Sequence, residues 1–457
     1  MRVTTIGRYA PEPGTVVEWR AAPAALAAMA EQPRHPAPPS FNQRLHMDAV
    51  AGQDVGTWLA FAFDLPGRAD LDVLEAAFTH WIRRHETLRS AFGAPRGGGA
   101  DGVERRVLPA ARLRLVRSEA GHFGTSARLA AHLRRGFDRR CRPLSWPSYL
   151  PGAIVRPHRT TVFCGFDHCD VDGYSLALAV HELYEIHQAI SHGRPVELPE
   201  TGSFVDYCAR EWAPRPPPGR DQVRPWRELL RSGDGALPSF PLDLGVRAGR
   251  PERQLTECRR LMDGPAAAMF EEVCRAGGGS VFTGLLASAG LAARRLGGVT
   301  DGFRLVTPLH TRTDPRWRTA VGWFIQAAPI AFDVDAAGGF PQVLTAAHRA
   351  FREALATAEV PLPAALAAVG GIRRTRNDVF MLSYIDYRRF PGAERYPGID
   401  PWHISNETIA DDAQFWVSRT ADGLFLRVRG PDTPIARANL SAYLAAWTDV
   451  LTSVKPG

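Results

Sequence analysis

Apolar positions recur along this chain with two different periods, and the change from one to the other between residues 160 and 190 marks its most informative stretch. Thr161, Val162, Phe163, Cys164 and Phe166 form a nearly continuous β-rich run, whereas Leu176, Val180, Leu183, Ile186, His187 and Ile190 recur at helical spacing. A buried strand therefore meets a helix across Asp167-His168-Cys169-Asp170-Val171-Asp172-Gly173, with His168 where the strand ends. Asp172 is placed to cap that helix, and Gly173 to permit a backbone conformation that other residues avoid. A strand end can hold a base still, so His168 is a candidate for chemistry, beside the plainer reading of an ordinary histidine next to a turn and a helix cap.

The same patterning predicts the other elements. Residues 57–65 read as a strand, followed by a helix with the apolar face Leu71, Leu74, Phe78, Trp81 and Ile82 and with Asp70 as its cap. Strand character at 103–116 precedes a helix over 126–137, and strands at 148–156 and 160–167 lead to His168. The glycine-rich segment 95–102 lacks the Lys-Ser/Thr ending of a phosphate-binding loop and reads as a surface hairpin. Prolines make residues 1–40 a lead-in outside the core, and those within 192–222, on either side of a short helix, mark an inter-lobe linker or an excursion over the surface. Beyond it, helices around 270–273 and over 282–296 are separated by Gly277-Gly278-Gly279-Ser280. Strands follow at 303–308, 321–330, 380–386, 414–417 and 424–428, and the last helix spans 436–454.

Composition narrows the function classes. At 457 residues, 45% hydrophobic and 23% charged, the chain is an ordinary globular one, long enough for two or three domains. The net charge of +7 comes mostly from arginines scattered through helices, a weak signal for nucleic acid that fits a phosphate-bearing cofactor or an acidic carrier protein equally well. Six cysteines without a Cys-x-x-Cys pair argue against a zinc site or a disulfide framework, and Cys169 reads as a small packing residue. His181-Glu182 begins a zinc-protease pattern, but residue 185 is Glu where a second His is needed, so no metal is expected. The start of the chain is unlike a signal peptide and no apolar run reaches 18 residues, so a cytoplasmic protein with no integral membrane segment is expected. Ser175 sits beside the strand–helix joint without a Gly-x-Ser-x-Gly elbow, which weighs against a serine hydrolase.

His168, Asp172 and Gly173 resemble the His-xxx-Asp-Gly signature of the condensation-domain and chloramphenicol acetyltransferase-like superfamily. Other segments resemble its further motifs in the same order: Ser40-Phe41-Asn42-Gln43-Arg44, Arg84-His85-Glu86-Thr87-Leu88-Arg89, Thr307-Pro308 leading to Arg312, and Val321-Gly322-Trp323-Phe324 with Pro329. Asp167 stands where many condensation domains carry a second His, and this departure, with Gly322-Trp323-Phe324 and the 383–393 segment, looks most like the polyketide-associated, PapA-type acyltransferases.

The resemblance implies an α/β fold of two chloramphenicol acetyltransferase-like lobes forming a V-shaped pseudo-dimer with an interlobe tunnel, residues 1–192 as one lobe and 193–457 as the other. It implies an acyltransferase that moves an acyl group from a CoA or carrier-protein thioester to a hydroxyl acceptor in natural-product or lipid biosynthesis. His168 would be the general base, with Asp172, Gly173 and Arg312 as structural support, Arg312 pairing with Asp172. His85 is assigned to the scaffold. Asp167, Gly322, Trp323, Gln326 and Ser383 are candidates for the substrate tunnel, and main-chain N–H groups near Gly173 and the N-terminus of the following helix, or a group from the Gly322 strand, are candidate oxyanion donors. The expected partners are an acyl or peptidyl carrier protein and a small hydroxyl or amine acceptor, with no nucleic acid; no bound cofactor and a monomer are expected. Amide formation by a free-standing condensation enzyme, or a catalytically silent domain that recruits a carrier protein, are the alternatives.

Overall fold

The computed structural model describes residues 1–50, 56–93, 102–231, 233–247, 250–300, 302–335 and 339–455. Most of the glycine-rich segment read as a hairpin lies outside the described residues. The chain divides into two compact units. One comprises Met1–Pro214, Arg312–Ile325 and Arg389–Glu407; the other comprises Arg215–Thr311, Gln326–Arg388 and Thr408–Gly457. Where the sequence suggests one cut after residue 192, two later segments thus return to the first unit.

The first unit is built on a seven-stranded sheet in the order Arg2–Thr5, Trp402–Ser405, Trp58–Pro66, Arg159–Asp167, Tyr149–Val155, Gly14–Ala21 and Leu115–Phe123. Arg2–Thr5 runs parallel to Trp402–Ser405, and the other neighbours pair antiparallel. The central strands are apolar without alternation because both faces are covered. Trp58 packs against Phe137 of the helix Ser126–Arg140. Phe61 and Phe166 meet Trp81 of the helix Leu71–Arg84, which Asp70 caps through the N–H of Asp72 at 2.8 Å.

Residues 1–40 are not a lead-in. They supply the strands Arg2–Thr5 and Gly14–Ala21 and the helix Pro23–Glu31, and Val16 and Trp19 are fully buried. The prolines punctuate these elements instead of displacing them: Pro23 occupies the first helical position, where the missing N–H would have no partner in any case.

The second unit has its own seven-stranded sheet, in the order Ile325–Asp333, Gly302–His310, Met381–Asp386, Gln414–Thr420, Gly423–Pro431, Glu252–Asp263 and Ile409–Ala410. Phe240, Phe380, Phe415, Tyr443 and Trp447 form the aromatic centre of its core. The helix Pro434–Ser453 is locked to the helix Val281–Arg295 by Tyr443 Oη donating to the carbonyl of Ala289 (3.0 Å) and Trp447 Nε1 donating to Ser288 Oγ (2.8 Å).

The triple glycine separates two helices, Gly264–Ala276 and Val281–Arg295, which meet at 93°. Gly278 has φ 75°, and Ser280 and Thr283 form a capping box at the second helix. No single helix among the described residues is long and apolar enough to cross a membrane. The strand expected over 321–330 begins only at Ile325; residues 321–324 are an irregular segment whose polar main chain is committed to the site described next.

Candidate active site

The strand Arg159–Asp167 and the helix Gly173–Ser191 bracket the His168 turn as the change of period predicts. The strand is held in register by Trp58–Pro66, with Trp58 opposite Asp167, and the His168 N–H donates to the Thr57 carbonyl at 2.9 Å. His168 is thus anchored to two neighbouring strand ends. Its ring lies against the indole of Trp323, with centroids 4.1 Å apart and planes inclined by 32°. Nδ1 is buried without a hydrogen-bond partner among the described residues.

Burial, and then the proximity of His46, lower the His168 pKa from 6.5 to about 4; its own main-chain carbonyl, Asp167 and Asp172 act weakly in the opposite direction. Desolvation disfavours the imidazolium, so the ring is neutral throughout the physiological range. Two results follow from the sign. If neutral His168 is needed for turnover, kcat/KM stays level as pH falls through 6.5, where an ordinary histidine would titrate, and declines only near pH 4; a pH–rate profile checks this. Because the folded pKa lies below the unfolded one, protonation below 6.5 favours the unfolded chain, so this group leaves stability unchanged above 6.5 and lowers it as pH falls towards 4.

Asp172 caps the helix and carries an ion pair at the same time. Its Oδ1 accepts from the Ser175 N–H (2.8 Å), while Arg312 Nη1 donates to Oδ2 (2.6 Å) and Nη2 to Oδ1 (3.1 Å). The Phe324 N–H also donates to Oδ2, at 3.1 Å. Arg312 lies between the rings of Tyr174 and Phe324, 4.3 and 4.4 Å from their centroids, and the pair is almost wholly buried. This geometry fixes the start of the helix to the 312–324 segment; Asp172 is bonded to other groups than the imidazole, so it does not serve as the third member of a triad.

Ser175 is the knot of the network. Its hydroxyl lies 2.8 Å from Asp172 Oδ1 and 2.9 Å from the Gly322 carbonyl, and accepts from Arg312 Nη2 (2.9 Å) and the Gly322 N–H (3.1 Å). Two expectations change accordingly. The Gly322 N–H is already occupied by Ser175 and does not face a developing oxyanion. Gly173 opens the helix in ordinary right-handed conformation and is not among the glycines with positive φ, because the first helical position needs only standard angles.

Gly322 has a separate requirement. A Cβ there would stand 2.5 Å from Cγ of Phe204, a fully buried ring on the helix Phe204–Glu211. Gly322→Ala is expected to lower stability by about 1–3 kcal/mol through overpacking and to reduce turnover by moving Trp323 off His168, measured as a fall in Tm together with kcat.

His85 lies in the scaffold. Its Nε2 faces Glu182 Oε2 at 2.5 Å, its Nδ1 accepts from the Val321 N–H at 3.4 Å, and Glu182 also receives Trp81 Nε1 (3.1 Å) and Arg84 Nε (3.0 Å). Burial pushes the Glu182 carboxyl up, but His85 and Arg84 outweigh it and hold the group below its usual range. The incomplete zinc-protease pattern is therefore half of an internal salt-bridge cluster.

Of the residues singled out from the sequence, the first unit brings together His168, Asp167, Asp172, Gly173, Arg312, Gly322 and Trp323. Gln326 and Ser383 belong to the second unit. There, Gln326 donates to the carbonyls of Thr357 (3.2 Å) and Val360 (3.3 Å), and Ser383 pairs in register with Trp416. Sequence reasoning missed His46, on the helix Phe41–Val50, whose Nε2 lies 2.9 Å from Asp167 Oδ1. Its place two residues after the Gln43-Arg44 motif was the available signal.

The fold and the His-xxx-Asp-Gly turn define a chain of the condensation-domain family, and the model of that family, described as "Condensation domain", matches residues 37–382: the chain belongs to it. The trehalose-2-sulfate acyltransferase PapA2 of Mycobacterium tuberculosis (strain ATCC 25618 / H37Rv) is 30% identical over 476 residues, spanning 100% of this chain and 99% of that protein. Acyltransferase PapA3 of the same organism is 26% identical over 466 residues, spanning 99% and 97%. The solved structure of PapA2 acyl transferase matches with a TM-score of 0.89 at 28% identity, covering 99% of each chain. The protein is an acyltransferase of the PapA type.

Proposed function

We propose that the protein transfers an acyl group from a phosphopantetheine thioester, on CoA or on a carrier protein, to a hydroxyl, with His168 as general base. The observation that carries this reading is the placement of the His168 imidazole, anchored at a strand end through the Thr57 carbonyl and set against Trp323, where burial favours the neutral, proton-accepting form. A proton on Nδ1, next to the residue's own carbonyl, leaves the Nε2 lone pair to accept from the acceptor. The hydroxyl oxygen attacks the thioester carbonyl as Nε2 takes its proton. The C–S bond then breaks, the C–O bond is complete, and the imidazolium returns the proton to the departing thiolate, leaving an ester and a free thiol. No acyl-enzyme is required, and Ser175, enclosed in the Asp172–Arg312 network, is not placed to form one.

Such a reaction requires thioester and hydroxyl to be held within about 3–3.5 Å, which removes much of the entropic barrier. The named activity of PapA2 on trehalose-2-sulfate supports a sugar hydroxyl as the acceptor class. The test is direct: purified protein is incubated with acyl-CoA or acyl-carrier-protein donors and with trehalose, trehalose-2-sulfate or an amine, and products are followed by mass spectrometry. An ester of the sugar is expected. Product from the amine alone would establish the amide alternative, and binding of carrier protein with no transfer to any acceptor would establish a recruitment module.

A further inference from the structure

His168 is flanked in sequence by Asp167 and Cys169, and both are tied to one helix, Phe41–Val50. Gln43 Nε2 donates to the Cys169 carbonyl at 2.9 Å, and its Oε1 is in turn held by Arg105 Nη2 at 2.8 Å. His46 Nε2 lies 2.9 Å from Asp167 Oδ1, which also accepts from the Cys169 N–H at 2.9 Å. The ring of His46 also makes a T-shaped contact with Trp323, with centroids 5.8 Å apart at 80°, and Trp323 is the ring that covers His168. His46 therefore touches the support of His168 twice: its main chain through Asp167, and its imidazole face through Trp323. Asp167 Oδ2 is fully buried and without a partner among the described residues, so His46 is the side chain that compensates this carboxylate.

We infer that His46 is a positioning residue for acyl transfer, its Nε2–H holding the Asp167 carboxylate so that the turn and Trp323 present His168 to the substrates in one orientation. Asp167, read from the sequence as a candidate tunnel residue, becomes the link between the two histidines. The centroids of His46 and His168 are 6.5 Å apart, too far for a direct hydrogen bond between the rings, so beyond its electrostatic influence on His168 the role of His46 is geometric. This inference rests on His168 being the base.

The test uses the different reach of two amides. In His46→Gln the amide nitrogen falls where Nε2 stands and can still donate to Asp167; in His46→Asn it falls near Nδ1 and cannot. The full-length variants are compared in steady-state transfer, beside His168→Ala. The expected result is that His46→Asn lowers kcat on the order of 10²-fold, as a misplacement of about 1 Å does, with KM for thioester and acceptor unchanged, while His46→Gln restores most of the loss. Equal kcat for Asn and Gln, whether both wild-type or both low, with His168→Ala inactive, would overturn the positioning role and leave the base intact. Full turnover by His168→Ala would instead remove the base and this inference with it.

Discussion

Replacement of His168 by alanine is expected to lower kcat by about 10²- to 10⁴-fold, the range a positioned general base supplies, with little change in Tm. The two halves of this expectation have separate causes. No hydrogen bond from a His168 ring nitrogen supports the fold among the described residues, since Nδ1 is buried without a partner, whereas the anchoring bond, His168 N–H to Thr57, belongs to the main chain and survives the substitution. Removing a group that is costly to desolvate when charged takes away little that stabilises the native state. Some transfer should persist, because bringing thioester and hydroxyl together contributes to the rate by itself. Rates for wild type and His168→Ala with one donor and acceptor, beside thermal melts of both, make the check; an inactive variant that also melts early would point to a structural role instead.

The opposite separation is expected at Asp172. Asp172→Asn keeps an oxygen for the Ser175 N–H, so the helix cap can survive, but it leaves the Arg312 guanidinium buried between Tyr174 and Phe324 without its counter-charge. Breaking a buried pair from one side costs about 3–5 kcal/mol, which in a unit of this size lowers Tm on the order of 10 °C. Arg312→Met alone leaves the carboxylate buried and should cost a similar amount. The double variant Asp172→Asn, Arg312→Met contains no orphaned charge and should recover a large part of the loss. Thermal melts of the four proteins of this cycle give the coupling directly, and strict additivity of the two single losses would refute the ion pair as the principal link. Turnover should fall in the single variants as well, because Ser175, the Gly322 main chain and Phe324 N–H share the same network and Trp323 lies between them.

Local chemistry made part of this site legible. A β-rich run followed by helical spacing places His168 at a strand end, and an Asp before a helical run is a cap; both depend only on near neighbours. The order of motifs along the chain then singled out Arg312 as the partner of Asp172, 140 residues away. In the second unit, by contrast, the strand Glu252–Asp263 carries so many charges, in ERQLTECRRLMD, that no alternation announces it, although it pairs along its length with Gly423–Pro431. Ladder hydrogen bonds and not apolar side chains define that strand, and main-chain bonds leave no mark on composition.

What the sequence determined by itself, then, is the strand–turn–helix unit that carries His168 and the capping role of Asp172, because each is a matter of steric and hydrogen-bonding preferences over a few residues. Tertiary structure alone decided that Arg2–Thr5 and Trp402–Ser405 complete the sheet of the first unit, and that Trp323 covers the imidazole. It also joined His46 to Asp167, 121 residues apart, and turned Ser175 into a buried junction instead of a nucleophile. These are contacts between distant segments, selected by which polar groups must find partners once apolar surface has left water, and a local period carries no information about that choice.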